Sequence, residues 1–400
     1  MKHTFASFVI LLLSTFIIIS CKKNMPETPK VNRSVLVYVA ANNNLNLHAA
    51  SNLSDLISNY SESAMNGGNL IVYYNVKNNN AKLLQICNNT EAKVIKEYPT
   101  PHNAADPATL KAVIGDFKQL FPADNYGCIF WSHASAWLPK TFFNDATQKA
   151  TQFSLPKPSE TADLINHPLY KYIRHIEQPA QTKMFAQDGN NFMELEELED
   201  AMKTNEFDFV IFDACYMGSI EVAYSMRNKS KWMLASPTEV LGNGIQYKTL
   251  ANHLFSLSTD YTQMLKSIAD DYAKKYNEST MAIYDLSKVD KFTSEYKALM
   301  ANINNKVGSS TPYNVQRYDR YDDHVLFDMV DYVSTISNGR ETANIQRIID
   351  QVVVYKYSTP MFMLIPMTHY SGVSTYIPFE SYIHVTPFYK GLRWYNNVLK

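Results

Sequence analysis

The sequence carries almost no net charge: 37 lysines and arginines stand against 38 aspartates and glutamates, a formal balance of -1 over 400 residues. No basic stripe offsets that neutrality locally, so nucleic acid is not an expected partner. Cysteine is scarce, with four in the chain: Cys21, Cys87, Cys128 and Cys215. None forms a CxxC pair or sits in a close Cys/His cluster, which argues against a structural zinc site and against a disulfide scaffold. HExxH is absent, and Ser132 and Ser135 lie in no nucleophile-elbow pattern, so metal and serine hydrolases are poorly supported. No internal repeat stands out. What the chain does have is apolar and aromatic mass, 46% hydrophobic with 27 tyrosines and 20 phenylalanines, the composition of a folded protein. Its length allows one large domain or two ordinary ones.

The N-terminus bears on location. Lys2 precedes an almost unbroken apolar run from Phe5 to Ile19, shorter than the roughly 20 residues of a spanning helix, so the run reads as a secretion signal. Ser20 and Cys21 at its end resemble the lipobox of bacterial lipoproteins. That resemblance implies a signal peptide over residues 1–20, lipidation of Cys21, and a tether over 21–33 containing Pro26 and Pro29. The expected location is the bacterial cell envelope, at the outer membrane, with the lipid as the membrane contact. Lipidation leaves three cysteines, an odd number, so at least one thiol is free or paired outside the chain. Cys87 and Cys128 fall in apolar stretches and read as buried thiols.

From Ser34 onward, apolar strand candidates alternate with amphipathic helix candidates. The strands are 34–41, 69–76, 81–87, 126–131, 207–212, 231–236 and 280–285; the helices are 46–60, 106–121, 193–202, 219–226 and 261–276. Asp106 is placed to cap its helix and Pro107 to occupy the first turn. Most strands are continuous apolar runs, as expected where both faces are covered. The order predicts an α/β fold, a three-layer α/β/α sandwich with a mostly parallel central sheet. Residues 34–400 read as one catalytic unit. An insertion at 140–190 carries basic processing candidates at Lys171, Arg174 and Lys183, with Lys203 just beyond it. A helical C-terminal elaboration spans about 286–400, with helices near 289–300, 325–335 and 345–355, a strand-like 372–377 and a helix-like end at 388–397.

Reacting groups in such sheets gather at the carboxyl ends of strands. Two strands deliver polar residues there: the run ending in Trp131 is followed by Ser132 and His133, and the run ending in Phe212 by Asp213, Ala214 and Cys215. A helix starting near Gly218 would favour the Cys215 thiolate, the nucleophilic form, and a histidine in reach would protonate a leaving amine. Taken singly, Cys215 reads more often as a small buried hydrophobe, and His133 as often as a structural hydrogen-bonding residue as a catalytic one.

Five blocks across residues 34–397 carry a resemblance: Tyr38-Val39-Ala40-Ala41-Asn42-Asn43-Asn44-Leu45; Trp131-Ser132-His133-Ala134-Ser135-Ala136-Trp137; Asp213-Ala214-Cys215-Tyr216-Met217-Gly218-Ser219-Ile220-Glu221-Val222-Ala223-Tyr224; Ala235-Ser236-Pro237-Thr238-Glu239-Val240 with Gly242 and Gly244; and Ser371-Gly372-Val373-Ser374-Thr375-Tyr376-Ile377-Pro378. In this order they resemble the clostripain-type cysteine peptidases, relatives of caspases, gingipains and legumains. The resemblance implies a caspase-like sandwich and an endopeptidase cleaving peptides or proteins after arginine or lysine. It implies a His133–Cys215 dyad, an oxyanion held by the N–H groups of Ala134 and Cys215, and Asp213 at the floor of the pocket for the basic side chain. Ala134 and Ala136 stand where the family carries glycine, and Asn42 where it usually carries aspartate. The alanines motivate a second reading, a catalytically inactive envelope protein of the same fold that binds peptide or glycan. If a site needed positive φ at an alanine, the strain would be roughly 1 kcal/mol. Some family members depend on calcium, but Glu239, Asp323 and Asp328 show no calcium-loop spacing, so no metal site or cofactor is assigned. Oligomeric state is not legible.

Overall fold

The computed structural model describes residues 31–142, 186–258, 260–303, 314–321, 324–378 and 385–400. Cys21, Lys171, Arg174, Lys183 and Asp323 lie outside the described residues, as do most of the tether and of the insertion.

Along β1 (Val31–Ala41) successive side chains point to opposite faces. Leu36, Tyr38 and Ala40 enter one apolar core, while Val35, Val37, Val39 and Ala41 enter another. Both faces are covered, which is why the strand reads as an unbroken apolar run. The sheet continues with β2 (Asn69–Val76), β3 (Lys82–Ile86), β4 (Ala92–Glu97), β5 (Ala123–Trp131), β6 (Phe207–Asp213), β7 (Ser230–Ala235) and β8 (Thr280–Asp285). The short β9 (Phe327–Asp328) stands outside it, and β10 (Val353–Ser358) completes it. The nine strands run in the order β10-β8-β7-β6-β5-β1-β2-β3-β4.

The sheet is mixed, which corrects the expectation of a mostly parallel one. The central ladders β2–β1, β1–β5, β5–β6 and β6–β7 are parallel, whereas β2–β3, β3–β4, β7–β8 and β8–β10 are antiparallel. Short connections turn β2, β3 and β4 into hairpins, and hairpins pair antiparallel. Strands β4 and β10 escape an apolar-run search because they are largely solvated edges, with lysines at positions 93, 96 and 356. The helix anticipated over 345–355 ends at Val352, and the chain continues as β10.

Helices pack on both faces. One layer holds α1 (Asn46–Ser58), and the opposite one α2 (Pro107–Leu120), α3 (Leu195–Ala201) and α4 (Ile220–Met226). Helices α5 (Tyr247–Leu254) and α6 (Tyr261–Lys275) join the first layer; α7 (Val289–Ala301), α8 (Met329–Ile336) and α9 (Thr342–Val352) join the second. Asp106 caps α2 as anticipated, accepting from Ala108 N at 3.1 Å with Pro107 in the first turn.

The stretch expected as a strand over 372–377 pairs at Ser374 and Thr375 with β9, and Ser374 also bridges to Ser219 in parallel. Its remaining polar groups are claimed by the start of α4. Ser374 N donates to Gly218 O at 3.0 Å. The fully buried Glu221 carboxylate accepts from Thr375 Oγ1 at 3.0 Å, Tyr376 N at 3.1 Å and Tyr389 OH at 2.9 Å. The C-terminal segment is thereby fastened to the helix that follows the candidate nucleophile.

Burial pushes the Glu221 carboxyl above its ordinary 4.5, against the pull of its hydrogen bonds. A carboxyl raised in the folded state binds its proton more tightly folded than unfolded, so its stabilising contribution is full below about 4.5 and falls as pH rises through the shifted value. Glu221→Gln should therefore gain stability relative to the native chain with increasing pH across that window, read from urea midpoints; a difference that stays flat from pH 4 to 8 would refute this. Glu221→Ala, which strands three buried donors, should cost about 3 kcal/mol or more.

Candidate active site

The parallel ladder between β5 and β6 pairs Trp131 with Asp213. His133 lies two positions beyond the first of these and Cys215 two beyond the second, so both leave neighbouring strands at the same level and the same end of the sheet. On the other side of β5, Val39 of β1 pairs with Trp131, and β1 runs out into Asn42, Asn43 and Asn44. The three strand ends form one polar edge.

The turn after β6 is narrow. Tyr216 adopts a left-handed φ of 64° and donates its N–H to Thr238 O at 2.8 Å. Gly218 N donates to Ser236 O at 2.8 Å; a Cβ on Gly218 would lie 2.5 Å from Pro237 N, so only glycine admits this approach. The 236–240 segment consequently covers Cys215, which is 8% exposed. Val240 N donates to Cys215 Sγ at 3.3 Å, and the thiol faces Val240 O at 3.6 Å. Glu239 in the same segment is gripped by Arg320, whose Nε and Nη2 reach its carboxylate at 3.0 and 2.7 Å. Burial, then Glu239, pushes the Cys215 thiol up to about 12, with Val240 N–H and Arg320 pulling the other way. The helix expected near Gly218 begins at Ile220 as α4, and its first turn is capped by Ser219, whose Oγ accepts from Val222 N at 3.2 Å.

His133 is 1% exposed, and its Nε2 meets Asn44 Oδ1 at 2.6 Å. An amide oxygen only accepts, so Nε2 carries the proton and donates to it. Sequence spacing did not single out Asn44, because 89 residues separate it from His133; its position in the Asn42–Asn44 run was the available signal.

Asp213 is buried under the segment that follows. Its carboxylate accepts from Ile245 N at 3.1 and 3.3 Å and from Tyr247 OH at 2.8 Å. Gly244, at φ +59°, lies so close that an added Cβ would sit 2.2 Å from Oδ2. Lys275 holds this segment by donating to the carbonyls of Asn243, Gly244 and Ile245 at 3.0 to 3.1 Å. Burial pushes the Asp213 carboxyl up to about 6 against the pull of Tyr247 and Lys275. Gly244 belongs to a block that carries the family resemblance, whereas nothing in the sequence marks Tyr247 and Lys275 as partners of Asp213.

Ala134 and Ala136 are both buried, and they differ in backbone. Ala136 takes a left-handed φ of 57°, while Ala134 is not among the positive-φ residues. Cys128 is buried and Cys87 partly so. Among the acids considered for a cation, Glu239 is engaged by Arg320, and Asp328 accepts from Tyr318 OH, Ser371 N and Asp331 N. That donor set does not fit a calcium site. Ala136→Gly should stabilise the fold by roughly 1 kcal/mol and Ala134→Gly should not, as read from denaturant midpoints, because only the former relieves a left-handed alanine. Equal effects at both positions would contradict this.

A model of the clostripain family, Peptidase_C11, matches residues 37–156 and 170–397. Among solved structures, an inactive zymogen C11 protease from Parabacteroides distasonis is similar at 28% identity and a TM-score of 0.74, over 93% of this chain and 99% of that one. A secreted C11 cysteine protease from Bacteroides thetaiotaomicron, solved with an irreversible peptide inhibitor, matches at 24% identity and a TM-score of 0.70, over 92% of this chain and 99% of that one. A further structure from the same organism, described as a secreted C11 cysteine protease named iotapain, matches at 20% identity and 0.72, over 93% and 100%. These two show a common fold. Comparison with curated proteins gave no match. The family match spans most of the sequence and includes both strand ends that carry His133 and Cys215: the chain belongs to the clostripain family of cysteine peptidases.

Proposed function

We propose that the protein is a cysteine endopeptidase that cleaves peptides or proteins after arginine or lysine, with His133 and Cys215 as its dyad. The observation that carries this reading is the register of β5 and β6, from which histidine and cysteine emerge at equal offsets beside Asp213. In the proposed reaction Cys215 Sγ attacks the scissile carbonyl carbon as its proton passes to His133. The N–H groups of Ala134 and Cys215 hold the oxyanion, and His133 then protonates the leaving amine. Water, deprotonated by the same imidazole, releases the acyl group. An ordinary backbone at Ala134 supports its N–H as a donor without strain. Attack needs Val240 to withdraw from the sulfur, since the covered thiol holds its proton up to about 12.

Asp213 is proposed as the floor of the pocket for the basic side chain. Its burial supports this, because a guanidinium or ammonium reaching it would be desolvated and bound by a charge-assisted hydrogen bond. A basic side chain reaches the carboxylate only when the covering loop at Gly244 shifts, since that backbone lies so close that an added Cβ would sit 2.2 Å from Oδ2. Export is part of the proposal: the apolar run before Cys21 and relatives described as secreted support it, with Cys21 as the lipidated anchor in the cell envelope. The rival reading, an inactive peptide- or glycan-binding protein, is motivated by Ala134 and Ala136 in place of glycine, and the thiol covered by Val240 favours it as well.

Peptide reporters with arginine, lysine or a neutral residue before the leaving group separate these readings. The native chain should turn over the basic reporters, and Cys215→Ala and His133→Ala should each lower kcat about 1000-fold or more. Absence of turnover in the native chain, with and without limited proteolysis, would sink the peptidase reading in favour of the binding one. Cleavage after arginine should rise as pH passes through about 6, where Asp213 loses its proton. Asp213→Asn should remove that rise and weaken arginyl turnover about 10- to 100-fold, with little effect on the neutral reporter. Equal losses on basic and neutral reporters would assign Asp213 to structure alone.

A further inference from the structure

Beyond the dyad, one carboxylate gathers the strand ends around His133. Asp188 is 4% exposed. Its Oδ1 accepts from Asn42 Nδ2 at 2.6 Å, and its Oδ2 accepts from Asn75 Nδ2 at 2.6 Å and Ala104 N at 2.7 Å. Three donors converge there, a demand that an acceptor-only carboxylate meets and a neutral side chain does not. Its neighbours extend the grip. Gly189 N donates to Asn42 O at 2.9 Å, and Gln187 O accepts from Asn43 Nδ2 at 2.8 Å. Gln187 N donates to Ser132 Oγ at 3.1 Å, and that hydroxyl donates to Ala40 O at 2.7 Å.

Residues 187–189 therefore hold both sides of the histidine: the 42–43 segment, which leads into the Asn44 that meets His133 Nε2, and Ser132, the residue before His133. We infer that Asp188 is a positioning residue that sets the His133 imidazole through the Asn42–Asn44 loop. The carboxylate touches no reacting atom. It fixes the backbone and amide of Asn42, and so the reach of Asn44 Oδ1, which decides the face the ring turns to the neighbouring strand end. This deepens the peptidase reading and rests on it for what the ring does. The charge of Asp188 acts on Tyr38, Tyr73 and His102, and the charged groups acting on Cys215 are Glu239, Asp213 and Arg320. The substitutions below leave all of them in place.

The test uses the full chain and two readouts. The first is the pH dependence of iodoacetamide alkylation at Cys215, resolved from Cys87 and Cys128 by mass spectrometry, with His133→Ala as reference. The second is kcat and KM on the arginyl reporter. Asn42→Asp, which sets two carboxylates face to face, and Asp188→Ala should shift the alkylation profile to that of His133→Ala and lower kcat about 10- to 100-fold with KM little changed. In the double variant Asn42→Asp with Asp188→Asn, the new amide donates to the new carboxylate while its oxygen still serves Asn75 and Ala104. The alkylation profile should return toward the native one. If Asp188→Ala does not fold, the Asn42→Asp single and double variants decide the matter. Variants that melt lower yet keep the native alkylation profile and kcat would show Asp188 to be structural only, and a double variant as impaired as Asn42→Asp would equally overturn the inference. Should the native chain cleave no reporter, the peptidase reading falls while the alkylation arm still decides the role of Asp188.

Discussion

A parallel ladder tolerates no sliding: moving β6 by one residue against β5 would send every one of its side chains to the opposite face. Here that would drive Val210 and Phe212 out of one core and Phe209 and Ile211 out of the other. The pairing of Trp131 with Asp213 is therefore held by the packing of both layers, and with it the equal departure of His133 and Cys215 from the sheet. The candidate site inherits its alignment from the least negotiable part of the fold. The residues that tune it are carried by loops, where backbone can be shaped: left-handed at Ala136 and Tyr216, and stripped of Cβ at Gly218 and Gly244.

Much of this was legible in the sequence, for a physical reason. Strands covered on both faces must be apolar at every position, so β1, β2, β5, β6 and β8 announce themselves. Polar residues directly after such runs mark strand ends, which is how His133, Asp213 and Cys215 were found. Edge strands obey a weaker rule. In β4, Lys93, Lys96 and Glu97 break up the apolar residues on a solvated surface, and β10 follows a helix without a break, so neither reads as a strand and the sheet is less parallel than its apolar runs imply. The partners of the site residues were hidden for another reason. Asn44 and Val240 lie in blocks that carry the resemblance and Tyr247 and Arg320 do not, but all four meet their partners through tertiary folding, and no local period records such contacts.

Two carboxylates in the molecule illustrate how burial is reconciled with charge. Asp213 and Glu221 both lie in the interior, both are surrounded by hydroxyl and N–H donors, and both are held above their ordinary values because those donors only partly replace water. One anchors the segment over the strand end, the other the C-terminal stretch behind the next helix. The short β6–α4 turn is thus pinned from two sides by groups whose protonation the fold itself biases.

Arg320 has a consequence in time as well as space. Its partner Glu239 precedes it by 81 residues, so a ribosome has made the nucleophile turn and the segment above it long before the guanidinium exists. Without that guanidinium Glu239 has no counter-ion beside Cys215, and the covering segment lacks its ionic fastening. The arrangement around the sulfur is therefore complete only when the stretch carrying Arg320 has docked on the 236–240 segment.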